Sequence, residues 1–150
     1  MRTKLWLTGA LAVLLLGSCK EASHDHKRDT PEYTLALRKM YQAAKAYYYS
    51  NAELPASAPL TPATSCCAGP GHRCAPEATQ WDTPAWQAID FGMFEPHYFR
   101  YELVSDRESL RVIARGDLDC DGIESEFSLG GHIENGNLVN DGPRQERPTE

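Results

Sequence analysis

The chain has 150 residues, of which 41% are hydrophobic and 24% charged, and it carries a formal net charge of −6 with five cysteines. This length accommodates one domain with a modest core. An acidic chain without a cluster of Lys and Arg excludes a phosphate-binding footprint, so nucleic acid is not an expected partner.

The first residues differ in kind from the rest. Arg2 and Lys4 provide a positive start and Leu5 to Leu16 an apolar run too short to span a bilayer, the pattern of a signal peptide over residues 1–18. Leu16-Gly17-Ser18-Cys19 sets small residues before a cysteine and resembles the lipobox of bacterial lipoproteins. The resemblance implies a diacylated Cys19 sulfur, cleavage before it, and a mature protein held on a membrane far more firmly than by one myristoyl chain. Lys20 stands where an aspartate would retain an enterobacterial lipoprotein on the inner membrane, which implies the outer membrane within the cell envelope. An ordinary secretory signal ending near Ser18, or an uncleaved anchor, is the alternative reading.

Residues 19–29 are polar and read as a tether, 30–141 as the globular domain and 142–150 as a frayed tail. His24-Asp25-His26 has the chemistry of a transition-metal ligand set, but on a tether it reads as solvated linker. Thr30-Pro31-Glu32 is a helix start, with a capping threonine, proline in the first turn and an acid at the positive end of the dipole. Tyr33, Leu37, Met40, Tyr41, Ala44, Tyr47 and Tyr48 then recur at three- and four-residue steps, which predicts a helix through Ser50 with one buried stripe. The tyrosines suit a sugar-stacking surface in principle; packing on a sheet is the commoner use of that spacing.

Leu54 to Gln80 is rich in Pro, Ala, Ser, Thr and Cys without periodicity and is expected to be a long loop. With Cys19 lipidated, Cys66, Cys67, Cys74 and Cys120 form an even set, and an oxidising compartment favours two disulfides. Adjacent cysteines rarely bridge each other, so Cys66 and Cys67 take Cys74 and Cys120 in one order or the other. A zinc site with His72 is the rival use, although the spacing fits no zinc finger, and no C-x-x-C-H for covalent haem occurs. A second Thr-Pro start at Thr83-Pro84 predicts a short helix that turns Trp86 and Ile89 inward beside Trp81.

From Phe99 the period becomes two. Phe99, Tyr101 and Leu103 alternate with Arg100, Glu102 and Val104, and a return strand from Leu110 to Arg115 completes a hairpin. A third strand is expected over Glu124 to Leu129, and a further hairpin from His132 to Val139 with Asn135-Gly136 at its turn. One helix packed on an antiparallel β-meander with a disulfide-stapled loop is an α+β fold.

The order of these parts resembles the soluble headpiece of a type IV pilin-like protein. The likeness rests on the helix from Leu35, the loop from Cys66 to Cys74, Trp81 and Trp86, Tyr98 to Tyr101, and Gly116 to Gly122, and it covers about residues 30 to 140. Pilins begin with a basic leader cut before an apolar helix of membrane-spanning length, and this chain has a tether and a lipidation site there instead. The resemblance therefore implies a pilin-type domain presented at a membrane, as a partner, cap or assembly factor of a pilus or secretion system, rather than an ordinary filament subunit.

In Gly116 to Ser125 the carboxylates of Asp117, Asp119 and Asp121 stand two residues apart before Gly122. Calcium needs six or more oxygens, and this pattern converges three side chains while the Ile123 carbonyl and the Ser125 hydroxyl add more. The twelfth position, a bidentate glutamate in an EF-hand, is Ser128 here, and an acidic turn whose aspartates bond backbone N–H groups is the competing reading. Neither G-x-S-x-G, H-E-x-x-H nor a phosphate-binding glycine loop occurs, so the chain is read as no enzyme. The expected function is a non-catalytic interaction component of a type IV pilus or related secretion system; the alternative is a surface module that binds carbohydrate or another ligand.

Overall fold

The computed structural model describes residues 30–147. The expected signal peptide, Cys19 and the tether lie outside the described residues. Helix α1 (Thr30–Asn51) is followed by strand β1 (Ala58–Thr61), three short 3-10 turns, helix α2 (Pro84–Ala88), and strands β2 (Arg100–Ser105), β3 (Ser109–Gly116), β4 (Ser125–Glu134) and β5 (Asn137–Glu146). The five strands form one antiparallel sheet in chain order, β1-β2-β3-β4-β5, so the α+β class with a helix on a meander holds.

Helix α1 lies against β3 and β4. Ala36, Leu37, Met40, Tyr41, Ala44 and Tyr48 form its buried stripe, while Arg38, Lys39 and Gln42 face solvent. Tyr33 stacks on Phe127 with ring centroids 3.8 Å apart, and the Tyr48 hydroxyl donates to Gly136 O at 3.1 Å, so both ends of the helix are fastened to the sheet. Between them Gly131 makes room: a methyl group there would lie 2.6 Å from the Tyr41 hydroxyl and 2.7 Å from Val139 O. Beside the helix, Trp81 packs edge to face on Trp86 and on Phe91, and Phe91 does so on Tyr101, which closes the core under the long connection.

The β2–β3 hairpin pairs Tyr101 with Ala114 and Leu103 with Val112, all buried, as the two-residue period demands. Asn135 and Gly136 both have positive φ, 50° and 76°, the conformation of a tight two-residue hairpin turn.

Three expectations need correction. The segment from Leu54 contains β1, an edge strand of four residues including Pro59; it is too short to show alternation, and β2 supplies its partner groups. The strand expected to end at Leu129 and the hairpin arm from His132 are one strand, β4, which passes Gly130 and Gly131 through a register shift rather than breaking there. The tail expected from residue 142 is ordered as far as Glu146, since β5 keeps pairing with β4 up to Glu126↔Glu146. Its polarity reflects an exposed edge strand, charged and carrying Pro143.

Candidate functional site

The adjacent cysteines diverge to different partners. Cys66 bonds Cys74 across eight residues, and Cys67 bonds Cys120 across 53. Gly69 is required inside the short loop, because a Cβ there would collide with Arg73 O at 1.9 Å. The long bridge fastens that loop to the acidic turn between β3 and β4, where Cys120 itself sits in the left-handed region at φ 63°.

In that turn the carboxylates of Asp117, Asp119 and Asp121 come within 4.8 Å of one another. Each also accepts from the backbone. Asp117 takes Asp121 N–H at 3.1 Å and Gly122 N–H at 2.9 Å, Asp119 takes Asp121 N–H at 3.3 Å, and Asp121 takes Ile123 N–H at 2.7 Å. These bonds wind the loop around its own carboxylates. Ser125 stands apart: it is fully buried at the start of β4 and its hydroxyl donates to Arg147 O at 2.7 Å. Glu124 is committed to an ion pair with Arg100.

The sheet face opposite α1 carries a cleft of about 430 Å³. Ile113 and Ser128 form its floor, only 4% and 3% exposed, and Val104, 46% exposed, forms its wall. Gly130 leaves a gap in the side-chain layer. Arg111 and Arg144 line the cleft without an ion-pair partner among the described residues, whereas Arg115 next to them is held by Glu102 at 3.3 Å and Glu126 at 3.2 Å. The same cleft also carries two acids. Asp141 pairs with His132 at 2.6 Å, and Asp106 accepts from Glu108 N–H, Ser109 N–H and the Ser109 hydroxyl, bonds that hold its pKa below the usual carboxylate range. The cleft therefore sets two arginines beside two aspartates over a floor of one isoleucine and one serine.

A second, aromatic cleft of about 300 Å³ is lined by Trp81, Trp86, Phe91 and Phe94, the last 72% exposed, with Asp82 and Asp90 at its rim. The tyrosines at the end of α1 are divided, Tyr48 buried in the packing and Tyr49 exposed.

No family model, curated protein or solved structure matches this chain. The function rests on the geometry of the residues themselves.

Three side chains that no motif singled out, His97, Arg111 and Arg144, carry much of that geometry, together with Glu32, which the sequence marks only as a helix start. The Glu32 carboxylate accepts from Tyr98 N–H at 3.0 Å, Phe99 N–H at 3.2 Å and the Tyr101 hydroxyl at 2.8 Å, tying the start of α1 to the entry of β2. Burial pushes its pKa up, and the Tyr98 amide, the Tyr101 hydroxyl, the Phe99 amide and His97 pull against that. A Glu two residues past a helix cap reads as a dipole partner in sequence; its tertiary acceptors are set by the fold.

Proposed function

We propose that the chain is a cell-envelope lipoprotein, anchored through Cys19, whose pilin-like domain is a non-catalytic docking module for a type IV pilus or a related secretion system. The observation that carries this reading is the one-sided sheet: α1 occupies one face, and the other holds an open cleft in which Arg111 and Arg144 have no ion-pair partner among the described residues. Two arginines free of ion pairs on an open sheet face suit acidic side chains of a protein partner, which they would orient by charge complementarity. The helix-on-meander order supports the pilin-like description, and two disulfides in a small domain fit an exported one.

A second reading, a surface module for carbohydrate or another ligand, is favoured by the aromatic cleft around Phe94. One experiment separates the two. With a photo-crosslinking residue at Val104 or at Phe94 in intact cells, the first reading expects adducts with pilus or secretion components from position 104 and loss of those adducts in an Arg111→Glu, Arg144→Glu background. Adducts with glycan from position 94 alone would favour the second, and no adduct with assembly machinery from position 104 rejects the first.

For the acidic turn we propose calcium bound by Asp117, Asp119 and Asp121 with the Ile123 carbonyl. The support is the convergence of three carboxylates, which retain free lone pairs beyond their amide bonds and repel one another without a cation. Ser125 is left out of the set here because its hydroxyl donates to Arg147 O. Isothermal titration of the parent should give calcium heat that an Asp119→Asn, Asp121→Asn variant loses; no heat from the parent ends the idea.

A further inference from the structure

The short disulfide and the histidine beside it form a cluster that the docking reading does not use. Cys74 N–H donates to His97 O at 2.8 Å and His97 N–H to Cys74 O at 3.2 Å, which fixes the two backbones side by side. Cys66 joins them through its bond to Cys74, and the two sulfurs and one imidazole nitrogen lie within 4.8 Å of one another. All three residues are buried, His97 to 1% exposure. Its Nδ1 faces Glu95 O at 2.9 Å, which places the ring proton there and leaves Nε2 as the free electron-pair donor. That Nε2 is buried with no hydrogen-bond partner among the described residues. A buried donor atom left without a partner is a cost to the fold unless something accepts its lone pair.

We propose that Cys66, Cys74 and His97 bind a thiophilic divalent cation, of which zinc is the type, whenever the Cys66–Cys74 bond is reduced, so that one site alternates between disulfide and metal. The oxidised pair has no thiolate to offer and binds none. A dithiol reductant opens it: the two electrons and two protons that make the thiols come from the reductant, which closes its own disulfide. Zinc then displaces the two thiol protons, and two thiolates with a neutral imidazole make a charge-neutral set of the kind a buried site tolerates. Tetrahedral zinc with Zn–S bonds of about 2.3 Å sets its sulfurs about 3.8 Å apart. Once the bond is open the two sulfurs must swing apart to that separation, and the imidazole nitrogen already lies within 4.8 Å of both. Water completes the fourth position, and the Cys67–Cys120 bridge is no part of the set.

The test is zinc titration of the full chain, oxidised and phosphine-reduced, in competition with a chromophoric chelator, together with X-ray absorption of the zinc-loaded parent. One equivalent should bind to the reduced form and none to the oxidised form, with two sulfurs and one imidazole in the coordination shell. A Cys67→Ser, Cys120→Ser variant should keep the site, and His97→Asn, which preserves a donor toward Glu95, should weaken it by at least about tenfold. Equal binding by the oxidised form, unchanged affinity in His97→Asn, or loss of the metal in Cys67→Ser, Cys120→Ser would each overturn the assignment. If His97→Asn does not fold, the absorption spectrum of the parent decides alone, and a shell without imidazole rejects the proposal.

Discussion

Replacing Cys67 and Cys120 together by alanine should lower the unfolding free energy by about 4 kcal/mol, and replacing Cys66 and Cys74 by about 2.5 kcal/mol, from the loop-closure entropy that each bridge removes from the unfolded chain. The two bonds span 53 and eight residues, so the longer one restricts the unfolded ensemble more. The native structure points the same way. Cys67–Cys120 fastens the connection between β1 and α2 to the turn between β3 and β4, which are otherwise far apart in sequence, whereas Cys66–Cys74 closes a short loop that Gly69 N–H to Cys66 O and His72 N–H to Gly69 O already hold. Urea unfolding of the parent and both double variants, followed by tryptophan fluorescence, reads the difference directly. An equal loss in the two variants, or a larger one for the short loop, would mean that local strain outweighs chain entropy here.

Where periodicity was long, the sequence was sufficient. The α1 stripe from Tyr33 to Tyr48, the alternation at Phe99, Tyr101 and Leu103, and the Asn135-Gly136 turn are local patterns, and each is found where its spacing puts it. Strand β1 was hidden because four residues with a proline carry no period of their own; the pairing with β2 makes the strand. Gly130 and Gly131 look like a break in sequence, yet Gly131 is where Tyr41 needs the space, and the strand runs on through it. The even cysteine set predicted two staples, but the pairing depends on which way the backbone turns at Cys66 and Cys67, a tertiary matter. The aspartate triplet was legible as a cluster, while the hydrogen bond of Ser125 to Arg147 O was not. The arginine-lined cleft was invisible for the same reason: Arg111 and Arg144 are 33 positions apart in number and share it only because β3, β4 and β5 are neighbours in the sheet.

Glu32→Ala should destabilise the domain by about 3 kcal/mol at neutral pH, because the Tyr98 and Phe99 amides and the Tyr101 hydroxyl lose their common acceptor in a partly buried setting. The same carboxyl gives the domain a pH signature. Folding raises its pKa above the ordinary 4.5, chiefly through burial, so the native state holds this proton more tightly than the unfolded chain does. The corresponding stability is fully present below the unfolded value and is lost as pH rises through the folded one. Relative to Glu32→Gln, which has no proton to lose there, the parent should therefore lose stability over the window that opens at about pH 4.5 and level off once the native carboxyl is ionised. Tyr101 does not blur this window: burial first, then the neighbouring Glu32 charge and their hydrogen bond, push its hydroxyl far above its usual range, so it remains a donor throughout. Unfolding free energies of parent and Glu32→Gln measured between pH 4 and pH 8 test the sign. A difference that grows with pH would mean that the three donors outweigh burial, and that the ionised carboxylate is the form the fold selects.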